Sequence, residues 1–148
     1  MPQEQHRTFP ARFKSLADID RFVADAAEQA GFEHGTVYQI QLAVDEACSN
    51  IIEHAYGGEG PGTIECSLRT EEEALTIALR DHGKPFEPEC VPAPDVDADL
   101  EERTGGGLGL FFIRQMMDEV TFDFSLEEGN VLTLVKRKGS GCSQGDRD

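Results

Sequence analysis

The sequence predicts an α+β fold: a two-layer α/β sandwich in which a mixed, mostly antiparallel sheet carries helices on one face. Apolar residues recur at helical spacing in three segments, and they alternate with polar residues in paired segments joined by short turns. The segments follow the order β-α-α-β-β-loop-α-β-β, and paired strands with helices between them are typical of a sheet covered on one side. The chain has 148 residues, so we expect one domain at residues 1–138 and a disordered tail at residues 139–148.

The first elements are an edge strand and a helix. Residues 5–13 suit an edge strand, because Pro10 lacks the N–H that a central strand requires. Ser15 and Asp18 resemble a capping box at the start of the helix, and Gly31 ends it. The apolar residues of this helix recur at Leu16, Ile19, Phe22, Val23 and Ala26.

A second helix is predicted over residues 36–55, and the glycine-rich residues 57–62 end it. Its apolar stripe consists of Val37, Ile40, Val44, Ala47, Ile51 and Ala55. Residues 63–69 and 74–80 then alternate as two strands, and the acidic residues between them form a turn.

The last elements are a helix at residues 108–117 and two strands at residues 120–126 and 131–137. A long segment without periodicity, residues 83–107, precedes this helix, and such a segment inside a domain is usually a functional loop. It contains no Lys or Arg between residues 87 and 102. Its acidic residues there are Glu87, Glu89, Asp95, Asp97, Asp99, Glu101 and Glu102.

Composition excludes several classes of function. The chain has 13 Lys and Arg against 29 Asp and Glu, a net charge of −16, which argues against a nucleic-acid partner. No apolar run approaches the roughly 20 residues of a membrane helix, and the N-terminus lacks the apolar core of a secretory signal. We therefore expect a cytoplasmic protein that contacts neither nucleic acid nor membrane.

We expect no metal site at the four cysteines, because none belong to a C-x-x-C pair, and no disulfide framework, because the chain lacks a secretory signal. We expect buried thiols at Cys48 and Cys66 and exposed thiols at Cys90 and Cys142.

Three polar clusters carry the chemistry. On the second helix, Glu46 and Asn50 lie four residues apart and so point from one face. A carboxylate beside an amide oxygen is the kind of pair that holds Mg²⁺, although an ordinary polar helix face has the same pattern.

The second cluster, Asp81 and Gly83, directly follows an apolar strand. A carboxylate there can accept a hydrogen bond from an exocyclic amine, and the glycine lets a flat ligand approach the backbone; a plain Asp/Gly turn is the alternative.

The third cluster is the glycine-rich run at residues 104–110, which opens the last helix. Free backbone N–H groups at a helix start bind anions, although a flexible hinge would have a similar composition.

Together the three clusters resemble the histidine-kinase-like ATPase superfamily, whose members bind ATP in the Bergerat fold. Glu46 to Asn50 matches the N box, Asp81 and Gly83 match the first glycine box, and residues 105–109 match the second, with the ATP lid between them. Residues 42–56 and 106–120 are similar, more narrowly, to the anti-sigma-factor serine-protein kinases of bacteria.

The resemblance implies a role for each matched residue. Glu46 would be the general base that takes the proton from a serine or threonine hydroxyl, and Asn50 would ligate Mg²⁺. Asp81 would accept the adenine amino group, with Gly83 allowing close approach. Arg103 would be the cation at the γ-phosphate. The remaining ATP-binding residues would be Gly105, Gly106, Gly107, Leu108, Gly109 and Leu110.

One position departs from the family pattern. A threonine on the strand after the final turn usually supports the adenine-binding aspartate, and we place Val131 at that position, with Thr133 two residues on. We therefore expect the adenine contact to be weaker or re-routed.

The resemblance implies an ATP- and Mg²⁺-dependent serine/threonine protein kinase and anti-sigma factor. Its partners would be a small antagonist protein, which it phosphorylates, and a sigma factor, and it would form a homodimer. The alternative is an ATP-binding module that sequesters a partner without phosphoryl transfer. An ATPase of the gyrase or chaperone type would need further domains that 148 residues cannot hold.

Overall fold

The computed structural model describes residues 3–84, 113–125 and 129–138. The strands are β1 (Gln3–Pro10), β2 (Thr63–Thr70), β3 (Ala74–Asp81), β4 (Glu119–Ser125) and β5 (Gly129–Arg137). The helices are α1 (Leu16–Ala30) and α2 (His34–Asn50), with a 3₁₀ turn at Phe13–Ser15, a π-helical segment at Ile51–Ala55 and a helical turn at residues 113–116. The predicted α+β class and element order are confirmed for these residues.

The five strands form one sheet in the order β1-β2-β3-β5-β4. Each of the four pairings in the described sheet is antiparallel, so the prediction of a mixed sheet was wrong for this part of the chain. The expected edge strand is confirmed, because β1 lies at one end of the described sheet and its one strand partner there is β2.

The core lies between one face of the sheet and the two helices. Every second residue of β3, and of β2 and β5 except at their C-terminal ends, is buried, as the predicted alternation requires. The predicted stripe of α2 is buried along its whole length, and α1 packs against both α2 and β2. The largest fully buried side chains are Ile19, Ile40, Ile52, Ile64, Leu68, Leu75, Ile77, Leu79, Ile113 and Leu134.

Helix α1 ends as predicted and begins differently. Gly31 adopts a left-handed conformation with φ 97°, and its N–H bonds to the carbonyls of Ala27 and Glu28, which closes the helix. The predicted capping box was wrong, because Ser15 is buried in the 3₁₀ turn with helical dihedrals and its side chain makes no cap hydrogen bond.

Helix α2 changes its winding where it reaches the site. After Asn50 the chain continues as a π-helix over Ile51–Ala55, and the N–H of Tyr56 bonds to the carbonyl of Ile51, five residues earlier. Such π segments widen a helix and occur frequently at functional sites. The predicted helix over residues 36–55 therefore has the right extent but two kinds of winding.

Cys48 on α2 and Cys66 on β2 are both fully buried free thiols, as predicted. Burial raises the pKa of the Cys66 thiol to about 12 and that of Cys48 well above its ordinary value. Cys90 and Cys142, the predicted tail and the first half of the predicted third helix lie outside the described residues. Within the described ranges, no helix has the length and apolar character needed to span a membrane.

Candidate functional site

Asp81 is the last residue of β3 and is only 2% exposed. Its Oδ1 atom accepts two hydrogen bonds, from the backbone N–H of Gly83 at 2.9 Å and from Nδ2 of Asn130 at 2.9 Å. Both donors reach the same oxygen, so among the described residues Oδ2 is left to accept a hydrogen bond from a ligand. The turn thus fixes the orientation of a buried carboxylate.

The charge state of Asp81 depends on the same contacts. Burial raises the pKa of its carboxyl, while the bonds from Asn130 and Gly83 and the nearby His82 lower it. The ionised form therefore depends on the two donors that also orient it.

Asn130 is a site residue that the sequence analysis missed. It pairs directly with Asp81 across β3 and β5, is 5% exposed, and donates a second hydrogen bond to the carbonyl of Gly83 at 3.1 Å. The family resemblance places Val131 in this supporting position. Val131 instead pairs with Arg80, one residue further along, and successive strand residues point to opposite sheet faces. Among the described residues, Asn130 and not Val131 therefore supports the Asp81 carboxylate from β5.

Gly83 is fixed by packing against the end of the π-helical segment. A Cβ atom at this position would lie 2.4 Å from the carbonyl oxygen of Ala55, closer than any side chain tolerates. The N–H of Lys84 donates to the same oxygen at 2.7 Å. The glycine therefore allows the turn after β3 to touch the helix.

Asn50 and Glu46 lie on α2 at the other side of the site. Asn50 is 8% exposed and shares one pocket with Asp81, so the structure brings these two predicted residues together. Glu46 lies one helical turn earlier and is partly exposed. Burial, followed by the charges of Asp45 and Glu53, raises the pKa of Glu46. His54, which continues the line of Glu46 and Asn50 in the sequence, is exposed.

The pocket between Asp81 and Asn50 has an aromatic wall. Phe122 and Phe124 from β4 line it with their ring centroids 6.4 Å apart and their planes 22° apart. Its other lining residues in the described chain are Ala47, Ile51, Ile113, Asn130, Val131 and Leu132. The lining is thus mainly apolar, with the fixed polar groups of Asp81, Asn50 and Asn130, which is the composition of small-molecule sites. The two phenylalanines escaped the sequence analysis, although their period-two spacing on a strand beside β5 indicates a shared face.

The remaining predicted site residues fall outside the described chain. They are Arg103, Gly105, Gly106, Gly107, Leu108, Gly109 and Leu110, together with the acidic segment at residues 87–102.

A pair of carboxyl groups lies beside this site, between α1 and α2. Burial, then a hydrogen bond with Asp45 and its charge, raise the pKa of Asp20 to about 8. Burial also raises the pKa of Asp45. The two groups therefore share a proton at neutral pH.

This pair predicts a pH-dependent stability. The folded chain keeps a proton on Asp20 that the unfolded chain releases at an ordinary pKa near 3.8, so stability falls as the pH rises from about 4 to about 8. Asp20→Asn removes this loss. Both carboxyls are partly exposed, so solvent screening reduces the gain at pH 8 to about 1 kcal/mol, or roughly 3 °C in Tm.

Thermal melts of wild type and Asp20→Asn at pH 5 and pH 8 test this expectation. The variant should gain Tm at pH 8 relative to pH 5, and exposed Asp18→Asn on the same helix should not. An equal difference at both pH values would contradict a shared proton.

Comparison with known proteins adds the family. A model of the histidine kinase-like ATPase domain matches residues 9–136. A serine-protein kinase RsbW of Halalkalibacterium halodurans is 31% identical over 139 residues, which cover 91% of this chain and 83% of that protein. The RsbW of Listeria monocytogenes is 33% identical over 114 residues, covering 74% and 71%.

A solved structure supports the fold. The crystal structure of the RsbU and RsbW domains of Rv1364c from Mycobacterium tuberculosis matches with a TM-score of 0.64 and 17% identity. The match covers 91% of this chain and 32% of that longer chain, and at this identity it speaks for the fold alone. With the matched domain and the identity to RsbW proteins over most of its length, the chain belongs to the RsbW-like family of anti-sigma-factor serine-protein kinases, within the histidine kinase-like ATPases.

Proposed function

We propose that this chain is an ATP-dependent serine/threonine kinase of a partner-switching circuit, which phosphorylates a small antagonist protein and also binds a sigma factor. The observation that carries the proposal is the pocket in which the buried carboxylate of Asp81 lies opposite Asn50, on the helix that carries Glu46.

The adenine base would occupy the pocket beside Phe122 and Phe124. Its exocyclic amine would donate to Oδ2 of Asp81, because Oδ1 is already held by Gly83 and Asn130. A guanine presents a carbonyl oxygen at the corresponding position, and two acceptors facing each other without a donor are unfavourable. This contact would select ATP over GTP.

The phosphates would extend from the base toward α2. Asn50 fits a Mg²⁺ ion that arrives with ATP, because Mg²⁺ is usually held by one or two protein oxygens together with phosphates and water. The chemistry that the ion would supply there is an offset to the negative charge of the phosphate oxygens. The glycine run at residues 105–109 and Arg103 would contact the same phosphates.

Glu46 would act as the general base. Its carboxylate would accept the proton of the attacking serine or threonine hydroxyl as the new O–P bond forms and the bond to the ADP leaving group breaks. The raised pKa of Glu46 makes it a stronger base than an exposed glutamate.

The proposed partners follow from the family, as does a homodimer. The names of the relatives describe serine-protein kinases, and for this chain we extend that activity to an antagonist protein whose phosphorylation frees the kinase to hold a sigma factor. This reaction would take place in the cytoplasm.

Incubation with Mg-ATP and a small single-domain protein encoded beside the kinase gene tests the proposal. Mass spectrometry should find one phosphoserine or phosphothreonine on that protein, and none when ATP is replaced by a non-hydrolysable analogue. Tight ATP binding without transfer to any neighbouring gene product would instead favour a module that only sequesters its partner.

A further inference from the structure

The turn that presents Asp81 is held by the end of the π-helical segment that follows α2. Three consecutive backbone N–H groups of this turn each have an acceptor. The N–H of His82 bonds to the Tyr56 hydroxyl at 2.9 Å, and that of Gly83 bonds to Oδ1 of Asp81 at 2.9 Å. The N–H of Lys84 bonds to the carbonyl of Ala55 at 2.7 Å. Two of these acceptors belong to residues at the end of the π-helical segment.

Tyr56 supplies the side-chain part of this connection. Its hydroxyl accepts from His82 and donates to the carbonyl of Thr63 at 2.7 Å, so it bridges β2 and the turn after β3. The aromatic ring of Tyr56 packs directly against Gly62. A Cβ atom at Gly62 would lie 2.6 Å from the ring, so only glycine leaves room for it there. The hydroxyl of Tyr56 therefore has one donor partner and one acceptor partner, and the packing against Gly62 restricts where the ring can lie.

We propose that Tyr56 is a positioning residue of the nucleotide site: its hydroxyl holds the turn after β3 against the helix and thereby fixes the Asp81 carboxylate for recognition of the amino group of the base. The inference rests on the proposed function, since it assigns the base contact to Asp81. Tyr56 itself does not line the pocket in the described chain, so it acts through the turn.

We expect the fixed turn to affect the preference for one nucleotide base over another more than the overall affinity for nucleotides. A carboxylate selects an amine over a carbonyl only while its free oxygen stays aimed at that group. Losing the hydroxyl of Tyr56 leaves the N–H of His82 and the carbonyl of Thr63 without this partner, and the turn then relaxes. Asn50, which would hold the Mg²⁺ of the nucleotide, lies on α2 and not on the turn, so its role would not depend on the turn.

Tyr56→Phe tests the proposal, with Tyr38→Phe as its control. Tyr38 is the other of the two tyrosines in the chain and is 61% exposed on α2. Affinities for ATP and ITP are measured by equilibrium titration, because inosine carries a carbonyl where adenine carries its amine. Tyr56→Phe should lower the preference for ATP over ITP by about 10-fold and leave the affinity for inorganic tripolyphosphate within about 2-fold. Tyr38→Phe should change neither.

A purely structural role would lower both nucleotide affinities by one factor, and that result, or an unchanged ratio, would overturn the proposal. Amide hydrogen exchange at His82 gives a second reading: it should accelerate in Tyr56→Phe and stay unchanged in Tyr38→Phe. Should Tyr56→Phe fail to fold, Gly62→Ala, which displaces the ring and keeps the hydroxyl, should show the same loss of ATP preference.

The two proposals fail in different ways. If the wild-type chain itself does not prefer ATP to ITP, the base contact of Asp81 is wrong, and exchange at His82 alone decides whether Tyr56 holds the turn. If the wild type prefers ATP and Tyr56→Phe retains the full preference, only the role of Tyr56 is wrong.

Discussion

Glu46→Gln is expected to slow phosphoryl transfer by about 10²–10⁴-fold, the usual contribution of a general base. Glutamine has the shape of glutamate but cannot accept the proton of the attacking hydroxyl. The affinity for ATP should stay within about 2-fold, because Glu46 lies one helical turn from Asn50 and outside the lining of the base pocket in the described chain. Single-turnover transfer at saturating ATP measures the first quantity, and nucleotide titration measures the second.

Two further variants make this prediction specific. Glu28→Gln changes an exposed glutamate on α1 and should leave the rate unchanged. Glu53→Gln removes a charge that raises the pKa of Glu46, so the acid limb of the pH–rate profile should move to lower pH. Wild-type transfer by Glu46→Gln would remove Glu46 as the base, and a parallel loss of ATP binding would assign it to binding instead.

Asp81→Asn is expected to weaken ATP binding by about 100-fold, close to 2.7 kcal/mol. The substitution keeps the turn, because the amide oxygen of asparagine can accept the same bonds from Gly83 and Asn130. The atom left toward the pocket then becomes an NH₂ donor facing the adenine amine, which is also a donor. ITP, whose base presents an acceptor there, should lose little affinity or gain some.

Measuring both ATP and ITP separates the loss of the base contact from general damage to the fold of Asp81→Asn. Unchanged ATP affinity would contradict the assignment of Asp81, and equal losses for ATP and ITP would indicate a damaged fold rather than a lost base contact. Asp25→Asn, at an exposed position on α1, is the matched control and should bind both nucleotides as the wild type does.

Periodicity predicted the parts of the fold in which one face is buried. The stripe of α2 and the alternation of β2 and β3 follow from the need to cover apolar side chains, and both are observed. The change to π winding after Asn50 has no such signal, because the four-residue spacing of Ala47, Ile51 and Ala55 fits α winding as well. The cap at Ser15 failed for a related reason, since burial in the 3₁₀ turn outweighed the local capping preference.

The site was predictable where one segment supplies the residues and not where two strands meet. Glu46 and Asn50 share a helix face, and Asp81 and Gly83 share a turn, so spacing alone relates them. The partner of Asp81 depends on the register of β3 against β5. A register shift of one residue would pair Asp81 with Val131 instead of Asn130, and the side chains of β5 would then point to the opposite face of the sheet. The pairing of Asp20 with Asp45 likewise depends on how two helices pack.

The rate at which the buried thiols of Cys48 and Cys66 are alkylated can be used to measure ligand binding. They lie on α2 and β2, and alkylating reagents attack only an accessible thiolate, so modification waits until helix and sheet separate. A nucleotide that binds only the folded form, in which α2 packs on the sheet, should slow the alkylation of Cys48 and Cys66 by the factor 1 + [L]/Kd. Alkylation rates at a series of ATP concentrations would thus yield the affinity of the native kinase without an attached fluorophore, a phosphorylation partner or turnover.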